Sequence, residues 1–429
     1  MKLRRLFLFI LFFTLFISRS SSQNLDGDIP PYFVDNLTQK ISNIEKESRM
    51  GASFVFITDT HVKSNEMHSP QLIKYVLDKT SIHTVIWGGD AIMQYGGPIE
   101  KQWNIQLRFD SVLNKDSYLY KVRGNHDFSI LRKGKSSDKL LLSNKESAKL
   151  LFKNSPPNLH RNLNDPGSCY YFFDDNNNNL RFVIFDTTDS VPNKVVSFGN
   201  VPYVHDSQLR WIADSAVMTT PKGYGLIFVS HIPIPYTNTT RHPVLLKLRD
   251  LVNGIRTKSS GIIGNVKYDF SNLEDVKVLM CIAGHIHGDS ERYVNGVLQF
   301  TTANDGKWNE ESKSKSDVAK RKVGTVSEQC FDCICISKDQ KVVHAYRIGY
   351  GKDRHFHLDS TCLPVNKTIK LKSMLKGPVN WTILKNKQKV NSEILIVDSG
   401  ILKGLREGNT TVVARDKKGN KEYFNIVVQ

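Results

Sequence analysis

Asp59, His61, Asp90, Asn125, His231, His285 and His287 share a placement that makes chemistry possible: each lies just past a short apolar run of the chain. One run ends in Asp59-Thr60-His61 and the next in Trp87-Gly88-Gly89-Asp90. A third ends Val122-Arg123-Gly124-Asn125-His126-Asp127, and later ones end Val229-Ser230-His231 and Ala283-Gly284-His285-Ile286-His287. Carboxylate, amide and neutral imidazole donors form a hard-to-borderline set that suits Zn, Mn or Fe; a thiolate cluster would point elsewhere. Seven donors with one shared carboxylate are the number needed to hold two divalent ions about 3.5–4 Å apart. Any one of them alone would pass for a capping or surface residue. Together, each beyond its own run, they indicate a binuclear centre. Gly88, Gly89, Gly124 and Gly284 let the backbone turn into such a crowded point without a side-chain clash.

The elements that must position these residues follow from hydrophobic patterning. Buried strands are expected at Phe54–Thr58, Thr84–Trp87, Tyr118–Val122, Arg181–Phe185, Leu226–Ser230 and Val276–Ala283. Between them, Ser69–Lys79, Pro98–Leu113 and Asp206–Ala216 suit amphipathic helices. This alternation predicts layered α/β architecture, and in such sheets sites assemble beyond the carboxyl ends of strands. The Asp174–Asn179 patch is expected to turn a hairpin between Cys169–Phe173 and Leu180–Phe185, and Asn309–Lys322 to form a surface loop. From Val365 to Gln429 the pattern changes to short alternating strands, at Thr368–Leu371, Glu393–Ile396, Thr410–Ala414 and Tyr423–Val428, which is the pattern of a small β-sandwich.

In order and local context the five motifs resemble the calcineurin-like metallophosphoesterases over roughly residues 50–350. The resemblance implies a four-layer αββα sandwich. It assigns Asp59, His61 and His287 to a first metal, Asn125, His231 and His285 to a second, and Asp90 to both. It further implies phosphoester hydrolysis by a hydroxide bridging the ions, with His126 as general acid, Asp127 orienting or polarising it, and Arg123 contacting a phosphate oxygen. Two departures narrow the family. Met93 stands where purple acid phosphatases carry a metal-binding tyrosine, and His61 stands where their first motif has glycine, so a coloured ferric enzyme is disfavoured. His231-Ile232-Pro233 is similar to a turn of the secreted sphingomyelinase-like phosphodiesterases, whose large cysteine framework is absent. The stretch Gly404–Asp416 resembles the last strands of bacterial immunoglobulin-like domains of the group 2 type.

At 429 residues the chain is long enough for two or three units. The expected organisation is a signal peptide at 1–22, a metallophosphoesterase domain at 50–360 and an immunoglobulin-like domain at 365–429. Lys2, Arg4 and Arg5 precede the twelve-residue run Leu6–Ile17 and the small residues Ser18–Ser22. That order reads as a secretory signal, and the run is short of the roughly 20 residues that span a bilayer, which makes a signal anchor the lesser alternative. Secretion gives meaning to sequons at Asn36, Asn238, Asn366, Asn380 and Asn409, as glycosylation acceptors in a eukaryote. Six cysteines allow buried thiols or a structural disulfide, with Cys333 and Cys335 on one face of a strand. The formal charge of +17 becomes +13 once Lys2, Arg4, Arg5 and Arg19 are removed. It would steer phosphorylated substrates or an anionic membrane surface toward the protein, although the bland reading is a solvated lysine-rich surface. No nucleic-acid motif appears, so no specific nucleic-acid binding is expected.

The activity expected is therefore hydrolysis of phosphomonoesters or phosphodiesters with two divalent ions (Zn, Mn or Fe). The alternative is a metal-stabilised secreted binding or adhesion protein without turnover. Specificity is expected from the loops Asn65–Ser69, Met93–Trp103, Pro233–His242 and Asn304–Lys322, none of which carries a readable code. The remaining histidines, among them His68, His205, His242, His344 and His357, are expected in structural roles.

Overall fold

Eighteen residues that carry no chemical motif, Pro31–Ser48, form the first helix, α1, which buries Phe33, Leu37 and Ile44 along one side and carries Lys46 in its last turn. The computed structural model describes residues 29–61, 68–91, 109–111, 113, 116–127, 143–189, 202–235, 242–306, 321–384 and 394–429. The expected signal segment, Asn238, the whole loop 93–103, and most of Pro98–Leu113 and of the loops 65–69, 233–242 and 304–322 lie outside those residues. Among the described residues no helix is long and apolar enough to cross a membrane.

After α1 come β1 (Ala52–Ile57), α2 (Ser69–Lys79), β2 (Thr84–Trp87), β3 (Tyr118–Lys121) and α3 (Asn144–Leu151). Next are β4 (His160–Arg161), β5 (Tyr171–Asp175), β6 (Leu180–Ile184), α4 (Asp206–Trp211), β7 (Gly225–Ser230) and α5 (Leu246–Thr257). The chain continues through β8 (Ser260–Ile263), β9 (Val266–Asp269), β10 (Lys277–Ala283), β11 (Ser290–Val294), β12 (Val297–Thr301), β13 (Cys330–Ile336), β14 (Val342–Gly349) and β15 (Arg354–Leu363). It ends with β16 (Thr368–Lys370), β17 (Val379–Ile383), β18 (Leu395–Asp398), β19 (Ile401–Gly404), β20 (Gly408–Asp416) and β21 (Lys421–Val428). The six expected strands of the first part are all present, and α2 has the expected bounds. The helix expected at Asp206–Ala216 is α only to Trp211 and continues as a π-helix over Ile212–Val217. The Asp174–Asn179 patch turns the β5–β6 hairpin, with Asn179 in the left-handed conformation at φ 53°.

Two sheets face each other. The first runs β17-β20-β21-β15-β14-β13-β1-β2-β3 and the second β11-β12-β10-β7-β6-β5-β4. Phe54, Phe56, Phe182, Ile227, Met280 and Phe300 belong to the core that joins the two sheets. The outer side of the first sheet is covered by α1 and α2, through Phe33, Leu37, Leu72, Ile73, Val76 and Leu77. The outer side of the second is covered by α4 and α5, through Leu209, Leu248, Leu251 and Ile255. Helix, sheet, sheet, helix is the four-layer αββα sandwich expected. Each α2 contact row follows from i, i+1, i+4, i+5 spacing of its aliphatic residues, and Ser143 and Glu146 close α3 with a reciprocal capping box.

The tail is strand-rich, with β16, β19 and β18 in a sheet of their own around a small core of Leu402, Val412, Phe424 and Ile426. Its other strands extend the first sheet: β21 pairs in parallel with β15, through Arg354↔Lys421 to Leu363↔Val428. Val413 and Tyr423 also enter the core between the two large sheets. All six thiols are free and five are buried; Cys333 and Cys335 lie on one face of β13, as the alternation requires. Of the sequons, Asn366, Asn380 and Asn409 are exposed, whereas Asn36 is half-buried in α1 and accepts the Gly349 N–H at 3.2 Å.

Candidate metal centre

Strands β1, β2 and β3 are mutually parallel, as are β7 and β10, and their carboxyl ends converge on one edge of the sandwich. Topology therefore brings together what the sequence spreads over 229 positions, from Asp59 to His287. Five of the seven residues hold left-handed backbone: Asp59 (φ 51°), His61 (45°), Asp90 (53°), His285 (69°) and His287 (54°). That conformation costs a non-glycine residue of order 1 kcal/mol, and its concentration here marks the turns that aim the donors inward. Gly284 and Gly124 show why the turns need glycine. A Cβ on Gly284 would stand 2.0 Å from Thr58 Oγ1 and 2.4 Å from Asp59 Oδ2, and one on Gly124 would stand 2.2 Å from the Asp90 nitrogen.

Two donor groups result. In the first, His61 Nε2 and His287 Nε2 approach to 3.2 Å, and Asp59 Oδ1 lies 3.3 Å from His287 Nε2 and 3.7 Å from His61 Nε2. In the second, Asn125 Oδ1 lies 3.0 Å from His231 Nε2 and 2.9 Å from His285 Nδ1. Asp90 Oδ2 belongs to both, at 3.7 Å from His61 Nε2 and 3.1 Å from His231 Nε2. Donors bound at 2.0–2.2 Å around one tetrahedral or octahedral ion lie about 3 Å apart, so the closest of these spacings fit. The neighbours sharpen the fit. Asp59 Oδ2 is taken by the Thr58 hydroxyl (2.7 Å) and the His285 N–H (2.9 Å), which leaves the buried Oδ1 without a hydrogen-bond partner and turned toward the histidines. Asp90 Oδ1 accepts the His126 N–H at 2.8 Å, and His231 Nδ1 meets the Gly88 carbonyl at 2.9 Å, which frees Nε2 for the centre.

Electrostatics agrees. Burial pushes His61 and His285 down to about 4, so both present neutral lone pairs. Burial opposes ionisation of Asp59 and Asp90, yet the surrounding imidazoles override it and hold both carboxyls below their usual range. Burial would likewise lower His231, but Asp90 beside it lifts this imidazole to about 10. The shared carboxylate thus draws positive charge to the midpoint of the cluster. These residues are suited to two divalent ions such as Zn, Mn or Fe.

His126 stands at the rim of the centre, 19% exposed, its ring edge-on to His61 with centroids 4.9 Å apart and its Nε2 3.9 Å from Asp90 Oδ2. Two neighbours of the motif are placed differently from expectation. Asp127 accepts the backbone N–H groups of Asp90 (3.0 Å), Ala91 (2.9 Å) and Gly124 (2.8 Å), so its buried carboxylate ties the β2 and β3 loops together. That makes it a positioning residue. Arg123 is buried and gives its guanidinium to Asp186, to Asn144 Oδ1 (2.9 Å) and to the Thr188 carbonyl (3.1 Å). A fully buried ion pair of this kind cannot serve as a phosphate contact without breaking. Asp186 also orders its own turn, by accepting the Thr188 N–H at 3.0 Å.

Sequence reasoning missed the group that steadies the His285–His287 loop. Asp289 accepts from Arg347 (2.7 Å) and from the Ala303 N–H (3.1 Å), and Arg347 and Arg354 in turn share the buried Asp332. The only signal was charge inside strands β13, β14 and β15. Histidines outside the motifs pair structurally: His68 with Glu328, His205 with Asp189, His344 with Glu47 and His357 with Glu422.

No curated protein matches the sequence. Among solved structures, the chain is similar to a dimetal phosphatase from Danio rerio, at 14% identity, covering 71% of this chain and 98% of that one with a TM-score of 0.48. It is similar to a purple acid phosphatase from yellow lupin (Lupinus luteus) seeds at 14% identity, over 70% of this chain and 51% of that one, TM-score 0.39. It is also similar to a phosphopantetheinyl hydrolase from Mycobacterium tuberculosis at 11% identity, over 59% and 89%, TM-score 0.30. By sequence, residues 52–289 match the family described as calcineurin-like phosphoesterase. This stretch is more than half of the chain and encloses all seven donors, and it places the protein in the calcineurin-like phosphoesterase family as a metal-dependent phosphoric ester hydrolase.

Proposed function

We propose that this hydrolase acts outside the cytosol on phosphate monoesters or diesters, with His126 as its general acid. The observation that carries the reading is the pair of donor groups joined through Asp90 Oδ2, with His126 Nε2 only 3.9 Å from the same oxygen. Divalent ions held there supply Lewis acidity toward phosphoryl oxygens and lower the pKa of water into the neutral range. The chain's own residues do the rest. Asp59, His61 and His287 hold one side of the centre, Asn125, His231 and His285 the other, and Asp127 keeps the loops bearing Asp90 and Asn125 at fixed separation. His126 is anchored through its main-chain N–H to Asp90 Oδ1, which fixes where its side chain departs from the backbone, and Nε2 delivers a proton to the departing oxygen. The apolar run with its basic flank at the N-terminus supports secretion, and the exposed Asn366, Asn380 and Asn409 support glycosylation in a eukaryotic host.

The test is a phosphoester panel on protein reconstituted with Zn, Mn or Fe, with Asn125→Ala as blank. Turnover should fall about 10²–10⁴-fold in His126→Ala with metal content unchanged. Full metal occupancy with no turnover of any ester would sink the reading and leave a metal-stabilised binding protein.

A further inference from the structure

His285 and His287 share the short loop Gly284–Asp289 between β10 and β11, yet the bonds that hold them come from opposite sides. His285 is fixed from upstream. Its main-chain N–H donates to Asp59 Oδ2 at 2.9 Å, and the next N–H, of Ile286, turns back onto the Gly284 carbonyl at 2.8 Å. Past His287 the loop is pinned to the end of β12. The Thr301 hydroxyl donates to the Gly288 carbonyl at 2.7 Å, and Asp289 Oδ1 accepts the Ala303 N–H at 3.1 Å. His287 itself holds left-handed backbone at φ 54°. A non-glycine residue keeps that conformation only where its surroundings over-determine it, and these two bonds lie one and two residues beyond.

Asp289 is in turn set by a guanidinium. Arg347, buried on β14, places Nη2 2.7 Å from Asp289 Oδ1 and Nη1 3.1 Å from Oδ2, the two-pronged geometry that fixes a carboxylate in orientation as well as position. Its other N–H groups reach Asp332 Oδ1 (2.8 Å), Asp332 Oδ2 (3.2 Å) and the Tyr350 carbonyl (2.8 Å), so all five donors are engaged. The guanidinium cannot turn without leaving a buried acceptor unmet, which costs more than the bond itself contributes. Gly351, at φ 114°, makes room for it; a Cβ there would collide with Arg347 Nη1. Asp332 and Arg347 belong to the first sheet, and Asp289 stands at the entrance to β11 in the second. The strut thus crosses between the sheets and ends two residues from His287.

We propose that Asp289 and Thr301 are positioning residues for the first metal ion alone: they fix His287 from downstream, with Arg347 setting Asp289, while His285 and the second ion rest on a separate support. The proposal rests on the binuclear reading of the centre, so its test counts ions and does not depend on turnover. The full chain is loaded with Mn, dialysed against graded chelator, and its ion content and electron spin resonance are followed. His287→Ala and Asn125→Ala supply the reference behaviour for loss of the first and second ion. Asp289→Ala should weaken one ion about 10–100-fold, as His287→Ala weakens it, and leave the other within about twofold. The signal of the coupled Mn pair should give way to that of a single Mn. Asp289→Asn keeps an oxygen for Ala303 and Arg347 and should recover most of the lost affinity. Thr301→Val removes the bond to Gly288 without changing the side chain's shape, and should show a weaker form of the same selective loss. A brace that merely stabilises the fold would lower the melting temperature and release both ions together. That result, loss of neither ion, or Asp289→Asn no better than Asp289→Ala would each overturn the proposal. Turnover of the phosphoester panel is scored separately: its absence in a chain that holds both ions removes the hydrolase reading and leaves the two supports standing.

Discussion

The donors of the candidate metal centre were legible because each is placed just past a buried strand, a pattern visible in one dimension. What one dimension hides is the partner of a charged side chain. Arg123 adjoins the centre in sequence and carries the charge a phosphate wants, but Asp186, which claims it, lies 63 positions away. The two assignments differ measurably. Arg123→Ala should strand Asp186 in the core and cost about 3–5 kcal/mol of stability, read by urea denaturation, while KM in the surviving folded enzyme stays near wild type. A large rise in KM with unchanged stability would restore the phosphate-contact role. Asp127 is tested in the same way. In Asp127→Ala all three N–H groups lose their acceptor, so the Asp90 and Asn125 loops lose their tie. Metal affinity should then drop about 10–100-fold, measured by retention of ions against a chelator. A fall in kcat at full metal content would instead place Asp127 in the chemistry itself.

At the scale of elements, strands and α2 were readable from periodicity, while α1 was not, because its buried positions Phe33, Leu37 and Ile44 are few and widely spaced among polar residues. Only docking against the first sheet shows which side is apolar. The same limitation hid Asp305, which joins three elements: its carboxylate accepts the Ser69 hydroxyl of α2 (2.5 Å) and the Cys330 N–H of β13 (2.9 Å), and its own N–H reaches the Thr58 carbonyl beyond β1 (2.9 Å). Burial pushes this carboxyl up to about 6. The folded state therefore holds the proton more tightly than the unfolded chain, whose aspartates titrate near 3.9. The stabilisation is complete below pH ~4 and is lost as pH rises through ~6, by up to about 3 kcal/mol. Asp305→Asn keeps the neutral shape and should lose this slope. Denaturation midpoints compared between pH 4 and 7 should fall with pH in the wild type, relative to the variant; parallel curves would refute the assignment.

For the whole molecule, the two-sheet sandwich was foreseeable from the alternation of elements, but the relation of the tail to it was not, because strand pairing across 354–363 leaves no trace in composition. Strand β15 pairs with β14 through Val342↔His357 to Ala345↔Arg354 and with β21 along most of its length, so a boundary near 360–365 cuts at the end of a shared strand. Tyr423 stacks on Phe356 at 5.0 Å between ring centroids, inside the core that joins the two large sheets. Removal of residues 365–429 would take Tyr423 and Val413 from that core and expose one edge of β15. Loss of a buried aromatic alone costs about 3–5 kcal/mol, and the aliphatic residue and the freed edge add to it. The chain ending at Pro364 should accordingly melt about 10 °C or more below the full chain at equal metal loading, in calorimetry that follows both through a single transition. Melting at the full chain's temperature would show instead that the tail folds as an independent unit and that the β15–β21 ladder contributes nothing to the half of the molecule that carries the metals.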